Sequence, residues 1–288
     1  EDRNKFLEDE TIHSLLEGYV DIDKIDIFRR RVYDFHALLA DKFQDGRVFL
    51  AGDAAHMTPP FAGQGLNSGI RDVTNIGWKL AAVLNKGAPA ALLDSYEPER
   101  RPHSKELIDV ALMLGEQIQP TDPEAAALRD AAFADLNSQP AEVMDGFVGG
   151  IFKAMVERSF ESGAAVAIGE DFLAGRMLTQ PQILGPDNEE SMLDDHLGEG
   201  FAIVGFQCDP RQEIDAGTLS EWEESGVCIV SIGQGTNSLG EHREVFEPLF
   251  AQGEANMVLV RPDRFCMTAF SASNAVEKLN AAAQLLRV

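Results

Sequence analysis

Residues Gly46 to Asp72 read GRVFLAGDAAHMTPPFAGQGLNSGIRD: an apolar run, a loop rich in glycine and proline, and the opening of a helix. Val48, Phe49, Leu50 and Ala51 are uninterruptedly apolar, the pattern of a strand covered on both faces of its sheet. Asp53 then stands at the carboxyl end of that strand. Layered α/β folds place ligands there, and a carboxylate at that point accepts hydrogen bonds from sugar or ribityl hydroxyls. The competing reading of Asp53 is a turn cap, a common place for aspartate. Pro59 and Pro60 fix φ and remove two amide donors, whereas Gly63 and Gly65 open backbone conformations closed to other residues and let the chain approach a flat ligand.

Beyond Gly65, the positions Leu66, Ile70, Val73, Ile76, Leu80 and Val83 recur at steps of three and four, which predicts a helix with one buried stripe. Asn85 and Lys86 end it, with Gly87 as a left-handed cap and Pro89 blocking continuation. The amides of Gly65, Leu66 and Asn67 fall at its positive end, where about half an elementary charge of dipole favours an anion. A phosphate fits, and so does the N1/O2 edge of a flavin, which turns negative when the ring is reduced. A ligand-free strand-loop-helix connection has the same local pattern, because glycine-rich turns are frequent.

The run of residues 52–72, GDAAHMTPPFAGQGLNSGIRD, continued by NIGWKLAAVL (75–84) and LLDSYEPERRPH (92–103) and preceded by VYDFHALLADKF (32–43), resembles the second half of the class A flavoprotein aromatic hydroxylases. The likeness is dense over about the first 115 residues. It implies an α/β fold: the C-terminal part of an FAD-binding, para-hydroxybenzoate hydroxylase-like domain. By the same resemblance Asp53 binds the ribityl and pyrophosphate region of FAD, and Pro60 lines the flavin face near C4a. Gly63, Gln64 and Gly65 lead into the helix whose Leu66 and Asn67 amides face the pyrimidine edge. The implied chemistry is hydroxylation of a small phenolic substrate. NADH or NADPH reduces FAD, O2 is captured as a flavin C4a-hydroperoxide, and oxygen passes to the phenol ring. No residue is assigned as catalytic base.

One departure is large. The family opens on a Rossmann Gly-x-Gly-x-x-Gly holding the ADP half of FAD, and the sequence contains none; Gly63, Gly65 and Gly69 have the wrong spacing. The expectation is that a preceding portion, with the dinucleotide domain and most of the substrate domain, belongs to a longer polypeptide. That departure leaves room for two other readings: a non-catalytic or complementing fragment, and a thioredoxin-like interaction module.

The 288 residues carry 48 acidic against 24 basic side chains, a formal charge of -24, which opposes contact with nucleic acid and anionic membranes. No apolar stretch reaches the roughly 20 residues that span a bilayer, and a cytoplasmic protein is expected. Arg29, Arg30 and Arg31 form a basic run, read as mainly solvated. Cys208, Cys228 and Cys266 lie far apart, with no pair at metal-ligand spacing, so no metal is expected and a reducing compartment fits. His56 is either a cofactor contact or a structural hydrogen-bonding group.

The chain reads as residues 1–160 in the hydroxylase domain, 161–192 as linker and domain entry, and 193–288 as a second domain. In the first part a helix is expected at Thr11–Glu17. Lys24–Phe35 is expected to form the last strand of the substrate-binding sheet, with Tyr33 and His36 as weak candidates for touching the phenol. Arg100, Arg101, Pro102 and His103 are read as bracing between the flavin domain and the more C-terminal part of the chain. The last hundred residues alternate strand and helix: strands at 201–206 and 227–232, a helix at 241–250, strands at 257–260 and 266–270, and a closing helix at 273–286. That order resembles a thioredoxin-like domain. Cys208-Asp209-Pro210-Arg211 sits where a thioredoxin carries Cys-x-x-Cys, but Arg211 replaces the second thiol and the dithiol cycle cannot close. The domain is therefore expected to be redox-inactive, serving packing or subunit contact, and a homodimer is allowed.

Overall fold

Two acidic residues, Asp9 and Glu10, open α1 (Asp9–Leu16), close to the span expected for it, and complement the positive end of the helix. The computed structural model describes residues 3–156, 172–185, 189–235, 238–240, 243–251 and 253–286, and its contacts separate Glu1–His36 from Ala37–Val288. Within the first unit, ion pairs Arg3 to Asp34 and Arg30 to Asp9 tie the ends of the segment together. The strand expected at Lys24–Phe35 does not form: a one-turn 3-10 helix covers Ile22–Lys24 and the rest is extended without a ladder. An extended run becomes a strand only when a neighbour takes up its amides and carbonyls in a ladder, and among the described residues this run is part of none.

In the second unit β1 (Leu38–Leu39) pairs with β4 (His56–Met57), and between them β2 (Gln44–Asp45) and β3 (Val48–Phe49) form a hairpin. The four-residue buried strand expected at residues 48–51 is thus cut to two residues, with Val48 64% exposed. α3 (Tyr96–Ile118) holds the segment through Tyr96 Oη to the Leu50 carbonyl (2.8 Å), the Phe43 amide to Glu97 (2.7 Å) and Arg101 Nε to the Ala40 carbonyl (3.0 Å). Phe43, Ala55, Ile76 and Tyr96 make the small core beneath it.

α2 (Gly65–Lys86) ends on Gly87 at φ 76, as the capping pattern predicts. α4 (Pro123–Ser138) starts on an Asp122 cap to the Ala125 amide, and α5 (Ala141–Val156) comes next. The linker expected at 161–192 lies partly outside the described residues; in its remainder β5 (Gln182–Leu184) pairs with β6 (Glu190–Met192), leading into the short α6 (Leu193–His196).

The rest is a β-α-α-β-α-β-β-α run: β7 (Ala202–Phe206), α7 (Pro210–Glu213), α8 (Ala216–Glu224), β8 (Cys228–Ile232), α9 (Arg243–Phe250), β9 (Met257–Val260), β10 (Cys266–Phe270) and α10 (Ala275–Leu286). The sheet order is β10-β9-β7-β8, with β7 and β8 parallel and β9 antiparallel to both neighbours. Two apolar clusters sandwich it. One includes Trp222, Leu279 and Leu286 and continues into Ala88 and Leu92 beside Trp78, so this sheet and the end of α2 share a core. The other is built around Phe246, Phe250 and Leu193.

Candidate functional site

The turn that carries Asp53 is a single 3-10 turn, Gly52–Ala54, entered at Gly52 with φ 58. It is pressed against α2 where two glycines meet: a Cβ built on Gly69 falls 3.3 Å from the Gly52 Cα. The Gly52 amide donates to Asp72 Oδ2 on α2 at 2.9 Å, so turn and helix act as one piece. Asp53 itself is exposed, and among the described residues its carboxylate takes part in no hydrogen bond or ion pair. It caps nothing, which removes the turn-cap reading and leaves an acceptor aimed at solvent.

The opening of α2 has matching free donors. The Ser68 amide bonds to the Gln64 carbonyl at 2.8 Å, while the amides of Gly65, Leu66 and Asn67 have no acceptor among the described residues. Leu66 is 79% exposed and space is open around a Cβ at Gly65. Gly65 does not have the left-handed backbone expected of it; Gly63 alone of the two does, at φ 62, closing the one-turn helix Pro60–Ala62. Gln64 is engaged by Arg71 Nη2 at 3.2 Å. Pro60 is exposed beside the loop, Pro59 is buried, and the Phe61 ring turns away to cover Gly115 of α3. A cavity of about 370 Å³ adjoins Asn67, lined also by Ile70, Arg71, Thr74, Arg264 and Phe265. Tyr33 and His36 both lie in the first unit, exposed; Tyr33 meets Arg29 and the Arg31 guanidinium and no pocket.

Behind the turn is a buried polar group whose partnership the sequence did not disclose. Asp72 accepts from His56 Nε2 (2.7 Å) and Arg100 Nε (2.8 Å) besides Gly52. Burial pushes its pKa up, but the bonds from His56 and Gly52 and the Arg100 charge outweigh that and hold the carboxyl below its ordinary range. His56 is therefore a structural partner of Asp72, buried at 2%. One turn along, Lys79 and Asn75 both reach Glu99 at 2.6 Å, and Glu99 receives a two-pronged Arg261 at 2.8 and 2.9 Å from beyond β9. Arg261 also grips Asp263 (2.6 and 2.9 Å). Burial would raise Glu99, yet Arg261, Lys79 and Asn75 bring it to about 2; burial and the nearby Arg261 bring Lys79 down to about 8. The bracing expected of Arg100 thus belongs to its neighbour Glu99, while Arg100 turns to Asp72, His103 and Ser68.

In the C-terminal part Cys208 is buried, and burial together with Glu213 and Asp209 pushes its thiol up to about 12. Arg211 points to the Ile229 carbonyl, not to Cys208. Burial and the neighbouring carboxylates thus disfavour the thiolate form at this residue. No group of metal-ligating side chains and no helix long and apolar enough to cross a membrane occurs among the described residues.

The chain is thus a relative of the flavin-dependent aromatic hydroxylases: residues 1–111 match the FAD binding domain family and residues 175–285 the HcaD C-terminal domain family. Its relatives include 3-(3-hydroxy-phenyl)propionate/3-hydroxycinnamic acid hydroxylases. That of Klebsiella pneumoniae is 38% identical over 259 residues (85% of this chain, 46% of the relative), and that of Mycolicibacterium smegmatis 33% identical over 276 (88% and 48%). Among solved structures, OxyS anhydrotetracycline hydroxylase from Streptomyces rimosus superposes with a TM-score of 0.63 at 26% identity, covering 86% of this chain and 46% of that one. A ternary complex of aklavinone-11 hydroxylase with FAD and aklavinone shares the fold, with a TM-score of 0.66 at 24% identity, covering 89% and 46%. The chain spans about half the length of the relatives it matches.

Proposed function

We propose that this chain supplies the isoalloxazine side of an FAD site in a monooxygenase that hydroxylates a small phenolic compound with NADH or NADPH and O2. The observation that carries the reading is the pairing of three acceptor-free amides at the start of α2 with an unpartnered carboxylate on a turn locked to the same helix. These residues fit a flavin. The amides of Gly65, Leu66 and Asn67 would meet its pyrimidine edge, Asp53 would accept from ribityl hydroxyls, and Pro60 would sit against the ring. When bound, the flavin supplies electron transfer and oxygen activation, and the protein supplies binding and electrostatics. The helix dipole stabilises negative charge at the pyrimidine edge, and Gly63 shapes the loop that lets the ring approach. Similarity to 3-(3-hydroxy-phenyl)propionate hydroxylases supports a phenylpropanoid-like phenol; Tyr33 and His36 are candidate substrate contacts only by their place in the extended run after Lys24.

We read residues 193–288 as a redox-inactive thioredoxin-like domain, supported by the sheet order β10-β9-β7-β8 and the masked Cys208. The three unpaired cysteines support a reducing, cytoplasmic setting. The test is NAD(P)H oxidation by the FAD-loaded protein over a panel of phenols. Substrate-stimulated oxidation with hydroxylated product supports the reading; flavin uptake without turnover on any phenol favours a complementing, non-catalytic role.

A further inference from the structure

The buried polar residues of α2 form a row, Asp72, Asn75 and Lys79, at steps of three and four, all 0 to 2% exposed. Two adjacent residues of α3 divide that row between them. Arg100 takes Asp72 (2.8 Å), and Glu99 takes Asn75 and Lys79 (2.6 Å each). From the other side Arg261, at the end of β9 and wholly buried, closes on Glu99 with both terminal nitrogens and on Asp263, which also accepts from Asn75 at 3.3 Å. At the far end, Asp72 holds the Gly52 amide (2.9 Å), one residue before Asp53. Charge-assisted bonds therefore run from the C-terminal sheet to Glu99 and, from the next residue Arg100, through Asp72 to the turn bearing the candidate flavin-binding carboxylate; the two sets are joined by the peptide between Glu99 and Arg100. Such bonds are short and directional, and in a dry interior each is strongly dependent on its neighbours.

We infer that the C-terminal sheet is a positioning element for the flavin cradle, acting through Arg261, Glu99, Arg100 and Asp72 on the Gly52–Asp53 turn. This gives a redox-silent module a part in the chemistry: it fixes the pair of α2 and α3 so that Asp53 and the α2 amides face one ligand in a set geometry. Arg261 and Glu99 are wholly buried, away from the exposed cradle, and are positioning residues. The inference rests on the flavin reading for its purpose, while the link itself rests on these distances and on the adjacency of Glu99 and Arg100 in α3.

The test uses the 288-residue chain with Arg261→Met, with Asp72→Asn, and with Leu279→Ala as a control that removes apolar packing in the same sheet domain without touching the polar line. Two quantities are followed: FAD affinity by flavin fluorescence titration, and hydrogen exchange at the amides of residues 52–55. Arg261→Met and Asp72→Asn should each weaken FAD binding by on the order of tenfold and speed exchange at 52–55, while Leu279→Ala, folded at the assay temperature, should keep the affinity. Should Arg261→Met not fold, Glu99→Gln reads out the same link. Equal weakening by Leu279→Ala would reduce the effect to general destabilisation and overturn the inference. Unchanged exchange at 52–55 in Arg261→Met would overturn it too, even if the unmodified chain took up no FAD; that last result would sink the flavin reading instead.

Discussion

Glu99 shows how a single residue's environment sets the behaviour of the protein. Its carboxylate is wholly buried against Arg261 and Lys79, and its pKa is brought from 4.5 to about 2. A depressed carboxyl contributes stability that is complete above its unfolded value and lost as pH falls through the folded one. Thermal unfolding should therefore hold steady above about pH 4.5 and decline toward about pH 2, and Glu99→Gln should flatten that decline. Breaking a buried pair from one side costs about 3–5 kcal/mol, so Glu99→Gln, which leaves Arg261 and Lys79 against Asp263 alone, should cost that much in urea unfolding. Lys79 is already pulled down to about 8 by burial. Replacing it with methionine trades an unfavourably placed ammonium for an apolar chain of similar length and should cost no more than about 1–2 kcal/mol. The reverse order of the two losses would contradict the assignment of Glu99 as the hub.

At the scale of one element, α2 shows both what its sequence disclosed and what it hid. Its span, its glycine cap and the open amides at its start follow from local rules: periodicity, Gly87, and the absence of acceptors before Ser68. The buried face followed only in part. Ile76 is buried and Leu80 and Val83 pack against the cores, but Leu66, Ile70 and Val73 are 55 to 79% exposed, and Ser68, Asp72, Asn75 and Lys79, at the same helical period, lie inside. Hydrophobicity ranks residues by transfer to an apolar medium and is blind to partners supplied from far along the chain, here Glu99, Arg100 and Arg261. A polar row at steps of four, three and four beside Glu99-Arg100 was the available signal. Ile76→Ala, at the buried edge, should cost about 2–4 kcal/mol, whereas Val73→Ser should change stability by no more than about 0.5 kcal/mol. Chemical denaturation of the two variants distinguishes the faces; equal losses would mean the apolar stripe is buried after all.

At the scale of the whole molecule, the four strands of residues 202–270 and the helices α9 and α10 were legible because each is a short apolar run or an amphipathic period bounded by turn residues, whereas α7 and α8 were not read. The strand at Lys24–Phe35 was misread because extended sequence becomes sheet only with a neighbour, and the run at 48–51 because pairing reaches only Val48 and Phe49, opposite Asp45 and Gln44. Asp53 and Gly65–Asn67 were legible as a candidate site because backbone donors and a turn carboxylate are local features; the polar contacts behind them bring together residues from Gly52 to Asp263 and are not local. The charge of -24 adds self-repulsion that salt screens. Raising NaCl from a few millimolar to about 0.15 M, where the screening length is about 8 Å, should raise the unfolding temperature. The central claim is that the α2 amides and Asp53 together hold a flavin, and the most direct measurement is an FAD titration followed by visible absorbance, with the unmodified chain and with Asp53→Ala. The account predicts a saturable spectral perturbation for the former and affinity weaker by about tenfold for the latter, at an unchanged unfolding temperature because Asp53 has no partner among the described residues. A free-flavin spectrum at every concentration, or equal binding by both chains, would contradict it.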